Sequence, residues 1–134
     1  MPAFREEIVC EAEPAAVWRL VHDPDRLAEW MVDTERVEPG EGGAVTRYLH
    51  GWPDFPMPTR VRSRADGARV VISCLVSDID IQVTLSPHPR GCGVEIAASV
   101  PDREAARVDG LRELVHQSLA RLAERASAPG AQLG

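Results

Sequence analysis

The side chains of this chain best able to act on another molecule gather in one short stretch. Arg47, Tyr48 and His50 lie within four positions, and Trp52, Phe55 and Met57 follow at once. A guanidinium, a phenol and an imidazole are groups that polarise a carbonyl, hold an enolate or carry a proton, so these three are the catalytic candidates. Arg47 stands between Val45 and Leu49 at the period of a strand. If those two face inward, a charge goes with them; buried, it needs a partner and could anchor a carboxylate or enolate. If Ala44, Thr46 and Tyr48 face inward instead, the phenol and His50 supply the polar contacts. A slip of one residue exchanges the two sets, and both registers stay open.

Other chemistries lack their residues. His22, His50, His88 and His116 are scattered without ligand spacing, so no metal is expected. No nucleophile-elbow pattern, dinucleotide fingerprint or P-loop occurs, so no cofactor is expected. Cys10, Cys74 and Cys92 are an odd number, lack a C-x-x-C pair and each lie in an apolar run. They read as reduced core thiols of a cytoplasmic protein.

The composition bounds the partners. In 134 residues, 21 acids oppose 15 bases, for a formal charge of −6, and 44% of residues are hydrophobic. An acidic chain of this kind is a poor match for nucleic acid, whose binding depends on neutralising phosphates. No stretch approaches the ~20 apolar residues that span a bilayer. Charged residues throughout the first 20 positions argue against a secretory leader. The length suits a single domain, expected over 1–127, with a frayed tail at 128–134.

The elements that must position the candidates follow from periodicity. Phe4–Ala12 alternates as a half-buried strand. Pro14 opens a short helix carrying Val17, Trp18, Leu20 and Val21. Asp23-Pro24 is an N-cap signal for a second short helix, Asp25–Trp30. Strands are predicted over Asp33–Glu38, Ala44–His50, Thr59–Ala65, Arg69–Val76, 79–85 and Cys92–Val100. Turns fall at 38–43, at Asp66-Gly67 and at 87–91, and a loop stiffened by three prolines occupies 50–58. Arg60, Arg62 and Arg64 read as a solvated outer face. Asp102 caps a last helix reaching about Ala126, striped by Val108, Leu111, Leu114, Val115, Leu119 and Leu122; Gly110 marks a bend or a later start. The fold class is α+β: a seven-stranded antiparallel curved sheet with two short helices and a long C-terminal helix over its concave face, the first strand rejoining beside the last.

This order resembles the SRPBCC superfamily, the helix-grip fold of START lipid-binding domains, polyketide cyclases and homologues of the heat-shock ATPase activator. The resemblance is carried by Cys10-Glu-Ala-Glu-Pro14 with Val17-Trp18, by Asp23-Pro24 leading to Glu29-Trp30, by the glycine-rich turn 40–43 and by the long last helix. It spans roughly residues 4–126 and implies a hydrophobic ligand held between sheet and helix.

In such a sheet the links near 31–33, 50–58, 76–79 and 100–102 share one rim, and the other turns share the opposite one. The first rim collects Trp30, His50, Trp52, Phe55 and Met57, so a sizeable cavity is expected to open there. Its ligand-binding candidates are Trp30, Trp52, Phe55, Met57, Leu111 and Val115. Two readings follow. One is a cyclase or aromatase closing a poly-ketone chain by aldol condensation and dehydration. The other is a carrier, sensor or sequestering protein for an apolar metabolite, working as a monomer or homodimer. A third, weaker reading is a chaperone-ATPase cofactor protein.

Overall fold

A computed structural model describes residues 2–64 and 68–127. The Asp66-Gly67 turn and the tail at 128–134 lie outside the described residues. The chain runs β1 (Ala3–Cys10), α1 (Pro14–Val21), a 3-10 turn (Pro24–Arg26), α2 (Leu27–Trp30), β2 (Thr34–Pro39), β3 (Ala44–Leu49), β4 (Trp52–Ser63), β5 (Arg69–Cys74), β6 (Asp80–His88) and β7 (Gly91–Ser99). A second 3-10 segment, Asp102–Arg107, leads into α3 (Val108–Ser127). The seven strands form one sheet in the order β1-β7-β6-β5-β4-β3-β2, and every pairing is antiparallel. β1 therefore rejoins beside β7, as the alternating pattern predicts.

Alternation fixes which face is buried. Phe4 and Cys10 of β1, Val70 and Ile72 of β5, Ile81, Val83 and Leu85 of β6, and Cys92, Val94, Ile96 and Ala98 of β7 all turn into one core. α3 adds Val115, Leu119 and Leu122, and α1 adds Ala16, Val17, Leu20 and Val21. Pro14 and Pro24 open their segments, and the Asp23 carboxylate accepts the Asp25 amide at 2.9 Å, but the segment it caps is the 3-10 turn, so the predicted helix Asp25–Trp30 is α-helical only from Leu27.

Two elements differ from expectation. The predicted loop at 50–58 is largely strand, because β4 begins at Trp52 and the link is only the turn around Gly51, whose φ is +83°. Pro53 and Pro56 are tolerated because they lie between the paired positions Trp52 and Met57, where the ladder with β3 is interrupted, and β5 pairs with β4 only from Thr59 onward. The last helix also starts later. Pro101, rather than Asp102, is the N-cap of the 3-10 segment, which buries no residue; the α-helix begins at Val108, the first residue of the apolar stripe. Gly110 sits within its first turn.

Candidate functional site

The register of β3 is settled by its neighbours. Val45 and Arg47 face inward, opposite Thr59 and Met57 of β4. Tyr48 points outward, where its hydroxyl donates to Glu38 at 3.3 Å and the Arg36 guanidinium lies 3.7 Å from its ring centre. His50 is exposed at the turn, 3.9 Å from Glu35. Of the three candidates, only Arg47 reaches the interior.

Arg47 is 6% exposed and held by hydroxyls from two strands. Its Nε donates to Thr59 Oγ1 at 2.9 Å, and Nη1 donates to Thr34 Oγ1 at 3.2 Å and to Asp33 Oδ1 at 3.5 Å. The Thr59 hydroxyl donates a hydrogen bond to the Met57 carbonyl and the Thr34 hydroxyl donates one to Asp33, so each hydroxyl oxygen turns its lone pairs toward the cation. Among the described residues the only carboxylate in contact, Asp33, is at the limit of hydrogen bonding and is partly open to solvent. Nη2 has no acceptor among the described residues. A guanidinium so buried, with one long ionic contact, keeps unspent capacity for an anion or a carbonyl oxygen.

Arg47 lines a cavity between the sheet and the start of α3. Its apolar wall comprises Met31, Leu49, Met57, Ile72, Ile79, Ile81, Leu111 and Leu114, and its polar end comprises Asp33, Arg47, Cys74, Ser77 and Arg107. The volume is about 40 Å³, room for a water or two, whereas small-molecule pockets commonly measure 300–1,000 Å³. The sizeable hollow expected from the topology is therefore largely filled by side chains, with Arg107, Leu111 and Leu114 lining what remains from the α3 side. Larger recesses, of about 570 and 530 Å³, lie over the outer face and are lined by residues such as Glu7, Thr84 and Glu95, or Arg62, Asp80 and Gln82.

The six expected ligand-binding residues separate. Met57 and Leu111 line the cavity. Trp30 is 1% exposed and packs in the core beside the cavity residue Met31; its Nε1 has no hydrogen-bond partner. Val115 is buried one turn beyond Leu111 and does not line the cavity. Trp52 and Phe55 are 65% and 53% exposed and contribute nothing to the lining. They lie on the first part of β4, where Trp52 pairs with Leu49 of β3 but no β5 residue pairs on the other side. Asp33, Thr34, Thr59, Cys74 and Ser77 were missed by sequence reasoning. They come from four separate segments, and the only local signal was the rim to which their links belong.

Cys74 differs from the other two thiols. Burial raises Cys10 to about 11, with Cys92 adding to the effect, and burial likewise pushes Cys92 up. Burial acts on Cys74 in the same direction, but the Ser77 hydroxyl, the Ser77 and Val76 amides and the Arg47 charge outweigh it and hold this thiol below its ordinary value.

The family model for polyketide cyclase / dehydrase and lipid transport proteins matches residues 1–127. No curated protein matches the sequence. Among solved structures, the protein XoxI from Bacillus cereus is similar at 14% identity and a TM-score of 0.76, covering 92% of this chain and 94% of its own. A Chromobacterium violaceum protein is similar at 23% identity and 0.73, covering 96% and 99%. An AHSA1-like protein from Aeromonas hydrophila is similar at 18% identity and 0.69, covering 99% and 97%. These likenesses establish the helix-grip fold.

Proposed function

The chain belongs to the polyketide cyclase / dehydrase and lipid transport family, and from that premise we propose that it takes up a hydrophobic, polyketide-like or aromatic small molecule between sheet and α3 and acts on one of its carbonyl groups. The observation that carries this reading is Arg47, a buried cation with unused donors at the polar end of an otherwise apolar cavity. A guanidinium there stabilises the oxygen of an enolate as it forms, which is what aldol closure and dehydration of a poly-ketone require. Asp33, bonded to the same guanidinium and to Thr34, is the group within reach to move a proton. The apolar wall folds and orients the chain.

A second reading, a non-catalytic carrier or sequestering protein, is favoured by the eight apolar residues of the wall. Titration with flat aromatic ketones, followed by Trp30 fluorescence and by methyl shifts of Leu111 and Leu114, tests both. Saturable binding that Arg47→Met weakens supports a carbonyl contact at Arg47. Consumption of a poly-ketone by the wild type but not by Asp33→Asn separates enzyme from carrier. Absence of binding across the panel overturns both readings.

A further inference from the structure

The outer face of the sheet carries charge that nothing else in the molecule answers. Arg60 and Arg62 of β4, and Arg64 just after it, alternate and are exposed. None of the three forms an ion pair among the described residues, whereas Arg5 of β1 and Arg36 of β2 each meet a carboxylate. They stand so in a chain whose acids outnumber its bases, 21 to 15. Two recesses over this face, of about 320 and 530 Å³, adjoin at Arg62 and Asp80, which line both. We propose that this trough binds a phosphate monoester, its phosphate held by Arg60, Arg62 and the Ser73 hydroxyl. The site lies on the other side of the sheet from the Arg47 cavity and stands or falls independently of it.

Ser73 is the second observation. It stands on the outer face of β5, in register with Arg60 of β4 on one side and Asp80 of β6 on the other. It lines the smaller recess and is only 8% exposed, yet its Oγ has no hydrogen-bond partner. Buried hydroxyls are nearly always paired, so one left open at a recess between unpaired guanidiniums is a donor set for an anion. Cross-strand neighbours lie about 5 Å apart at Cβ, and Arg62 follows Arg60 by about 7 Å along the strand. An oxyanion over Ser73 is therefore within reach of both guanidiniums, whose forked donors match phosphate.

The charge of the trough selects the class of anion. Two of its lining groups are already neutralised, Arg5 by Glu95 and Asp78 by Arg103. Arg60, Arg62 and Arg64 then face the single carboxylate of Asp80, which leaves two positive charges over. A phosphate monoester carries about −1.5 to −2 at neutral pH and balances them, whereas a carboxylate or a phosphodiester brings only one charge. Beyond Arg62 the floor is made by Ala3, Val71, Ala97 and Ser99, small side chains that leave room for the organic part of the ester.

The test is titration of the intact protein with phenyl phosphate and with benzoate, followed by amide shifts. Phenyl phosphate is expected to move Arg60, Arg62, Val71, Ser73 and Ala97 saturably, and to bind at least about tenfold more tightly than benzoate. Ser73→Ala weakens binding about tenfold while thermal stability holds or rises, because the variant removes an unsatisfied buried donor. Arg62→Gln weakens binding by a similar factor. Arg36→Gln, which deletes an exposed arginine on the edge strand β2, leaves it unchanged. Binding that survives Ser73→Ala, or that Arg36→Gln weakens as much as Arg62→Gln does, overturns the proposal, as does benzoate binding equally well. Sedimentation with phosphatidylcholine vesicles containing phosphatidic acid, whose headgroup is a phosphate monoester, separates the sources. Capture that needs phosphatidic acid and is lost in Ser73→Ala supports the site and assigns it a lipid headgroup. Phenyl phosphate binding without capture supports it with a soluble ester, and neither result overturns it.

Discussion

At the scale of single residues, Arg47 and Thr59 make opposite predictions. Thr59 satisfies the buried guanidinium through Nε. Thr59→Val keeps the shape but leaves a charged donor unmatched, a loss of about 1–3 kcal/mol in urea unfolding. Arg47→Met removes the charge, and Asp33, already partly in water, is left solvated. Its stability is expected to stay within about 1 kcal/mol of wild type or to rise. Its affinity for a carbonyl ligand, by contrast, falls about 10- to 100-fold, the worth of one hydrogen bond to a charged group. Arg47 was legible only as half of an alternative. Val45-Thr46-Arg47-Tyr48 alternates equally well in either register, and what decides is the pairing of Arg47 with Met57 across β3 and β4, a long-range fact.

At the scale of elements, the turns that close the sheet differ in how tightly they are built. Gly91 ends the β6–β7 hairpin at φ +140°, and a Cβ there would run into backbone of Cys10 and Ala12, 2.7 Å from the Ala12 nitrogen. Gly42 also holds a positive φ, +60°, with open space around it. Gly91→Ala is therefore expected to cost more than about 3 kcal/mol, because β1 must move, and Gly42→Ala about 1–2 kcal/mol from backbone strain alone. Paired thermal melts check the order of the two. The same contrast explains where sequence reading of elements failed. Seven strands and three helices announced themselves through period and caps, but Pro53, Pro56 and Pro58 spoke for a loop where β4 begins. Proline excludes a strand only where a neighbour needs its N–H, and which edge of β4 lies open is not written locally.

Burial of thiols links elements to the stability of the whole. Cys10 and Cys92 face each other across β1 and β7, both without exposure, and the Cys10 thiol is pushed up to about 11 from an ordinary value of 9.0. A raised folded-state value means that the unfolded chain releases this proton first. The stabilising contribution is complete below pH 9 and is lost as pH climbs from 9 to 11, at a slope of up to about 1.4 kcal/mol per pH unit. Cys10→Ala is expected to flatten that part of the stability curve in denaturant titrations at pH 8, 9.5 and 10.5. An unchanged slope would mean that other groups govern the alkaline limb.

The whole molecule poses one mechanical problem: a cavity of about 40 Å³ must receive a guest many times larger. Something has to lift, and the parts differ in what lifting them costs. The sheet and the C-terminal half of α3 share one core through Val115, Leu119, Leu122 and Ala126, so separating them exposes large apolar surface. The 3-10 segment Asp102–Arg107 buries no residue, and the α3 residues that follow it, Val108 and Leu111, are only half-buried. This segment is tied to the β5–β6 link on the same rim by Arg103, which bonds Asp78 and the Ser77 carbonyl, the latter at 3.2 Å. An exposed tie of this kind contributes about 0.2–1 kcal/mol, so cutting it changes the open population by about 1.4- to 5-fold. Arg103→Ala is accordingly expected to speed ligand association and amide exchange across 102–111 by that factor, with exchange at Leu119 and Leu122 unaltered. Faster exchange along all of α3 would instead mean that the helix moves as one body, and that entry is limited by the core rather than by the tie at the rim.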